Sequence, residues 1–246
     1  MRHARSQLGF YRLLPGGSRG ARLIELADVK AIVVPACPWL SIVNCVFSYG
    51  DADALELALP ELAQEYERDG IRAWGIWAAT DDAACAAVLR SAGFEAGSEI
   101  LKMGGYIEAR NVAPRRELDL VADASWEHLA ACNDRAYRLP RGLSVQPAFE
   151  LIDDPTVRVY AARHDDAIVS SLVAREADGD CYLAFVATVP EAQGHGAGGE
   201  LVRHALRSAS TRGCVSGSGE STPAGVKLYT AVGGGLLGRF ALWSRP

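Results

Sequence analysis

The chain has 246 residues, 49% of them hydrophobic and 22% charged, a composition that excludes wholesale disorder. Its 25 basic and 30 acidic residues leave a net charge of −5, which argues against a nucleic-acid binder working by phosphate neutralisation. The length allows one large domain or two modest ones.

Six scattered cysteines, none in CxxC spacing, give neither a disulfide scaffold nor a zinc knuckle. No apolar run of signal-peptide length precedes Pro15. The most apolar stretch, AIVVPACPWL, is broken by two prolines and is too short to span a membrane. The expectation is a reduced, cytoplasmic protein with no membrane partner.

Residues 30–48, rich in β-branched side chains and interrupted by Pro35 and Pro38, predict two short strands. Leu55, Leu59, Leu62, Ala63 and Tyr66 recur at helical spacing until Asp69-Gly70. A strand is expected over 71–79. A helix capped by Asp81 follows, with Ala84, Ala87, Val88 and Ala92 on its apolar face, and then a strand over 98–107. Residues 109–117 (ARNVAPRRE) are polar, arginine-rich and without apolar periodicity, so a domain boundary is placed near 113, between domains of 1–112 and 117–246.

A strand at 117–121 opens the second half. Ser125 is the expected N-cap of a helix with Trp126, Leu129, Ala130, Asn133 and Tyr137 near one side. VRVYAARH and AIVSSLVARE read as a hairpin turning at Asp165-Asp166. DCYLAFVATV (180–189) is a long strand, and 200–211 is a helix. Glycine-rich VSGSG leads to a short helix from Lys227 to Val232 and a closing strand, RFALW. The whole is α/β.

The chemistry concentrates in PEA-QGHGAGG-ELVRHAL. Glycines 194, 196, 198 and 199 lie between a strand ending at Val189 and a helix. Glycines let the backbone approach a ligand, and the first N–H groups of a helix lack internal partners. With the positive end of the dipole they suit a pyrophosphate without needing a positive side chain, which fits a loop that follows the acidic Glu191. Gly194-x-Gly196-x-x-Gly199 also satisfies the dinucleotide fingerprint. Against a dinucleotide stand PEAQ between strand and glycines, fewer than 50 residues afterwards, and Glu220 as the only acidic residue near the expected spacing. His195 and His204 lack metal-ligand spacing, and no metal is expected. No G-x-S-x-G surrounds Ser216 or Ser218.

V-A-T-V-P-E-A-Q-G-H-G-A-G resembles the acetyl-CoA loop of the GCN5-related N-acetyltransferases (GNAT), whose Q/R-x-x-G-x-G/A pattern falls on Gln193, Gly196 and Gly198. T-P-A-G-V-K-L-Y (222–229) resembles their later segment, a helix ending in a tyrosine and then a glycine, here Tyr229 and Gly233. The resemblance covers roughly 117–246. It implies an acyl-CoA N-acyltransferase-like fold, a mixed central sheet flanked by helices, with 1–112 as a degenerate first member of a tandem pair.

It further implies that Val186 and Thr188 offer backbone groups to pantetheine. Gln193, Gly194, His195, Gly196, Ala197, Gly198 and Gly199 would hold the pyrophosphate, and Tyr229 would protonate the departing thiolate. Asn133 and Tyr137 would face the acceptor. Glu220 is the nearest carboxylate by order for a base, with a water relay as the alternative. The implied reaction moves an acetyl group from acetyl-CoA to the amine of a small molecule or peptide. The alternative is an inactive acyl-CoA-binding sensor.

Overall fold

The computed structural model describes residues 2–49 and 51–245, with side chains described from residue 6 onward. In chain order its elements are α1 (Arg2–Tyr11), α2 (Leu14–Gly17), β1 (Arg22–Leu26), β2 (Val29–Val33), β3 (Cys45–Ser48), α3 (Ala52–Arg68), β4 (Gly75–Ala79), α4 (Ala83–Ser91) and β5 (Glu95–Tyr106). There follow α5 (Ala109–Val112), β6 (Asp119–Leu120), α6 (Trp126–Ala136), β7 (Val157–His164), β8 (Ala167–Ala177), β9 (Asp180–Thr188), α7 (Ala197–Thr211), β10 (Ser216–Ser221), α8 (Val226–Thr230) and β11 (Gly235–Ser244). The chain divides into two compact units. The first comprises Tyr11–Leu101, Pro147–Ile152 and Gly238–Pro246; the second comprises Met1–Phe10, Lys102–Gln146 and Asp153–Leu237.

In the first unit β1, β2 and β3 pair antiparallel, β3 and β4 parallel, and β4 and β11 antiparallel. Asp51 caps α3 by accepting the Ala54 N–H at 2.9 Å. The helix buries Leu55, Ala58, Leu59, Leu62 and Tyr66, the expected apolar stripe. The Tyr66 ring stacks on Trp74 at 4.5 Å, and its hydroxyl donates to the Ile32 carbonyl at 3.0 Å. One correction concerns α4. Asp82, not Asp81, caps it by accepting from Cys85 N–H at 2.9 Å. The one-residue shift turns Cys85, Ala86 and Leu89 inward and leaves Ala84 and Ala87 exposed.

The second unit carries a mixed sheet with neighbours in the order β10–β9–β8–β7–β6, flanked by α6 and α7. The β7–β8 turn uses Asp165 and Asp166 in left-handed conformation (φ 47° and 62°), which short polar side chains tolerate. Ser125 forms a capping box with His128, its N–H donating to His128 Nδ1 at 3.1 Å. α6 then buries Leu129, Ala130, Cys132 and Asn133 and ends before Tyr137, which is exposed. The serine–glycine run SGSGES, expected only as a glycine-rich connection, is strand β10, paired parallel with β9. All six cysteines are free, buried thiols. No helix among the described residues is long and apolar enough to cross a membrane.

Candidate active site

β9 begins as an ordinary inner strand. Asp180–Leu183 pair parallel with Ser216–Gly219 of β10, and there that pairing stops, although β9 runs on to Thr188 and β10 to Ser221. At the same place the β8–β9 register shifts between Ser171 and Val173, and Phe185 adopts φ 51°. A left-handed aromatic residue inside a strand is costly, about 1–3 kcal/mol, and persists only where its surroundings impose it. Here they do. Asn133 on α6, 1% exposed, donates its amide to the carbonyls of Phe185 (3.0 Å) and Leu129 (2.9 Å) and to Ser171 Oγ (3.3 Å). Past this bulge β9 and β10 run on without pairing to each other, a slot in the ladder with a backbone edge on either side.

Beyond the kink, the backbone of β9 meets side chains from two directions. The Val186 carbonyl accepts from the Tyr137 hydroxyl at 3.4 Å, and the Thr188 carbonyl accepts from Gln193 Nε2 at 3.0 Å. Tyr137 thus lies over the open stretch of β9. Asn133, expected to face an acceptor, has its amide engaged inside the fold.

After Val189 the chain makes a single turn at Pro190–Ala192 and enters the glycine run. Gly194 and Gly196 take φ 79° and 83°, a region glycine alone adopts freely. Gly196 is the N-cap of α7 and offers no side-chain cap, so the opening N–H groups of that helix lack a capping side chain. Gly198 is needed for a different reason: a Cβ there would lie 2.7 Å from Thr188 Oγ1. Removing it lets α7 start directly against β9. Gly199 meets nothing within 4 Å. Gln193, Gly194, His195 and Gly196 are exposed.

The first turn of α7 hides a carboxylate. Glu200, 7% exposed, accepts the Arg115 N–H at 3.0 Å and pairs with Arg203 at 3.4 Å. Arg116, next along, donates to the His195 carbonyl of the loop. Sequence reading missed this cation, because 79 positions separate the partners and ARNVAPRRE reads as a linker.

Tyr229 lies on α8, 5% exposed, its hydroxyl donating to the Glu220 carbonyl at 3.1 Å. Glu220 is the residue after the last β9–β10 pair, so the phenol stands at the mouth of the slot. Burial, aided by the nearby Glu220 charge, pushes its pKa far above the usual tyrosine value and keeps it protonated. The Glu220 carboxylate itself accepts from Tyr182, and its charge is felt by Lys102, a buried lysine whose pKa is lowered by desolvation. Among the described residues no group of three or more His, Cys, Asp or Glu could hold a metal ion.

β9 thus leads through the Pro190–Ala192 turn and the glycine run into α7. Residues 122–233 match the model of the acetyltransferase (GNAT) family. No curated protein matches the chain. Among solved structures, a GCN5-related N-acetyltransferase from Kribbella flavida superposes with a TM-score of 0.71 at 16% identity, covering 100% of this chain and 95% of that one. A functionally unknown conserved protein from Staphylococcus epidermidis gives 0.65 at 12% identity over 92% and 94%. A GCN5-related N-acetyltransferase from Sphaerobacter thermophilus gives 0.61 at 14% identity over 89% and 78%. At such identities the structural likeness speaks to fold, and it agrees with the mixed α/β sheet flanked by helices. The family match speaks to lineage and to a general acyltransferase role: residues 122–233 of this chain belong to the GNAT acetyltransferase family.

Proposed function

We propose that the protein transfers an acetyl group from acetyl-CoA to an amine of a small molecule or peptide, by direct attack and without a covalent enzyme intermediate. The observation that carries the reading is the end of β9–β10 pairing at Leu183 and Gly219, with β9 continuing through Thr188 into the glycine loop. In this reading the backbone of Val186 and Thr188 holds the pantetheine arm in the slot. The carbonyls of both residues carry side-chain donors, Tyr137 and Gln193, and these move aside or share. The N–H groups from Gln193 through Gly199 hold the pyrophosphate, as the positive end of α7 favours.

The acceptor nitrogen attacks the thioester carbonyl as the carbon–sulfur bond breaks, its proton passing to water or to Glu220. Tyr229 gives its proton to the departing thiolate. Transfer from a phenol near pKa 10 to a thiolate near 8.5 runs uphill in water, so it depends on contact inside the slot, where the thiolate is desolvated too. Tyr137 faces the acceptor side, while Asn133 serves by holding the kink. Residues 1–112 are, in this proposal, a degenerate first member of a tandem pair.

The test is acetyl-CoA binding together with amine-dependent release of free thiol. The wild type is expected to do both, and Tyr229→Phe is expected to bind normally and lose about 10²-fold or more in kcat. Full activity of Tyr229→Phe across pH removes Tyr229 from the mechanism. Binding without acceptor-dependent thiol release in the wild type establishes the sensor instead. Absence of binding overturns the reading altogether.

A further inference from the structure

Residues 109–116 form a strap tied to one face of α7. Arg203 donates to the Asn111 carbonyl, Arg207 to the Val112 carbonyl at 3.1 Å, and the Glu200 carboxylate accepts the Arg115 N–H at 3.0 Å. Positions 200, 203 and 207 share a helix face, so the attachment is built into the periodicity of α7. The strap also reaches the turn between α8 and β11, where a Cβ on Gly233 would come within 2.7 Å of Asn111 Nδ2.

This anchoring delivers Arg116 to the glycine loop. A Cβ on Gly196 would lie 2.9 Å from the guanidinium carbon of Arg116 and 3.0 and 3.2 Å from two of its nitrogens. The planar cation therefore rests against the left-handed glycine that opens α7. One donor is spent on the His195 carbonyl, and a guanidinium has five. The two carboxylates flanking the loop are served by other groups: Glu191 accepts from Arg135, and Glu200 is met by Arg115 N–H and Arg203. No side chain from 193 to 199 carries a fixed positive charge. The charge that a doubly ionised pyrophosphate would meet at this loop comes from the strap.

We infer that Arg116 is a phosphate-binding residue, adding a charged contact to the pyrophosphate of an acyl-CoA held by the N–H groups of the loop. The inference rests on the acyltransferase reading above. A charge-assisted hydrogen bond contributes enough that its loss weakens binding about tenfold or more.

Isothermal titration of the full chain with acetyl-CoA and with 3′-dephospho-CoA tests this, using wild type, Arg116→Ala, Arg116→Lys and Arg116→Gln. The exposed strap residue Arg110, which pairs with Glu108, serves as control through Arg110→Ala. The expected result is about a tenfold or greater rise in Kd for both ligands in Arg116→Ala and none in Arg110→Ala. Arg116→Lys, which keeps the charge, should recover most of the loss, whereas Arg116→Gln, which keeps only a donor for His195, should not. Unchanged affinity in Arg116→Ala overturns the inference, as does recovery by glutamine rather than lysine, which marks a purely structural contact. A loss seen with acetyl-CoA and absent with 3′-dephospho-CoA moves the contact to the 3′-phosphate and overturns the pyrophosphate assignment. A wild type that binds neither ligand overturns the acyltransferase reading with it, whereas wild-type binding with an indifferent Arg116→Ala overturns this inference alone.

Discussion

Gly198 and Gly199 are adjacent, both within the first turn of α7, yet their surroundings differ in one measurable respect. A Cβ on Gly198 would sit 2.7 Å from Thr188 Oγ1 and 3.4 Å from Leu228 Cδ1, while one on Gly199 meets nothing within 4 Å. Replacing a helical glycine by alanine stabilises by roughly 0.5–1 kcal/mol through helix propensity and a less disordered unfolded chain. Gly199→Ala should show that gain. Gly198→Ala has the same gain, offset by about 1–3 kcal/mol of overpacking. The propensity and unfolded-state contributions cancel on subtraction, so the gap between the two variants reports the crowding at Gly198, of which the Thr188 hydroxyl is the closest part. It should be about 1–3 kcal/mol, read by urea denaturation at a shared m-value. At ~2–4 °C per kcal/mol for a chain of this size, it is visible in a thermal melt as well. Thr188→Ala, introduced into Gly198→Ala, removes the colliding oxygen and should close more than half of the gap. The reasoning fails if the two alanine variants are equally stable, or if Thr188→Ala leaves their difference unchanged.

Asn133→Ala leaves the Phe185 carbonyl without its donor, which should cost about 1–3 kcal/mol and relax the kink, raising KM for acetyl-CoA more than it lowers kcat; a stability loss with KM untouched would show that the slot does not depend on Asn133. Tyr229 has a folded-state pKa raised by burial, so its contribution is fully present below about pH 10 and is lost as pH rises above that, where the unfolded phenol ionises first. Tyr229→Phe should therefore lose stability less steeply than wild type between about pH 10 and 11.5, and parallel curves would contradict the burial effect.

Much of the architecture was readable because local chemistry and tertiary packing agree. The stripe of Leu55, Leu59, Leu62 and Tyr66, the Ser125 cap and the Asp165-Asp166 turn all followed from spacing and side-chain type. The family of the second half was readable from two short motifs. Strand β10 was not, because a serine–glycine run has no strand propensity of its own. Its glycines leave space for neighbours, and a Cβ on Gly217 or Gly219 would collide with Leu206 or with the Leu183 carbonyl. α4 was misplaced by one residue because two aspartates in succession offer equivalent caps. Asn133 was placed correctly on its helix, but its target, a carbonyl 52 positions away, has no sequence signature. Arg116 illustrates the same limit more sharply. Arginines in a polar, non-periodic stretch read as solvated linker, and only the face of α7 formed by Glu200, Arg203 and Arg207 reveals that the segment is fastened down.

The buried thiols turn the protein into its own reporter of opening. Three of them, Cys37, Cys45 and Cys85, belong to the first unit, and Cys132, Cys181 and Cys214 to the second. Burial raises Cys85 and Cys214 to about 11 and lifts Cys45, Cys132 and Cys181 above the ordinary range as well. Because the thiolate is the reactive species, the folded chain is doubly shielded, by access and by ionisation. Pulse labelling with a thiol reagent, followed by peptide mass mapping, would then record how often each unit unfolds, independently of the other and without a spectroscopic probe in either. The same shielding keeps the background low when a chromogenic thiol reagent counts released CoA.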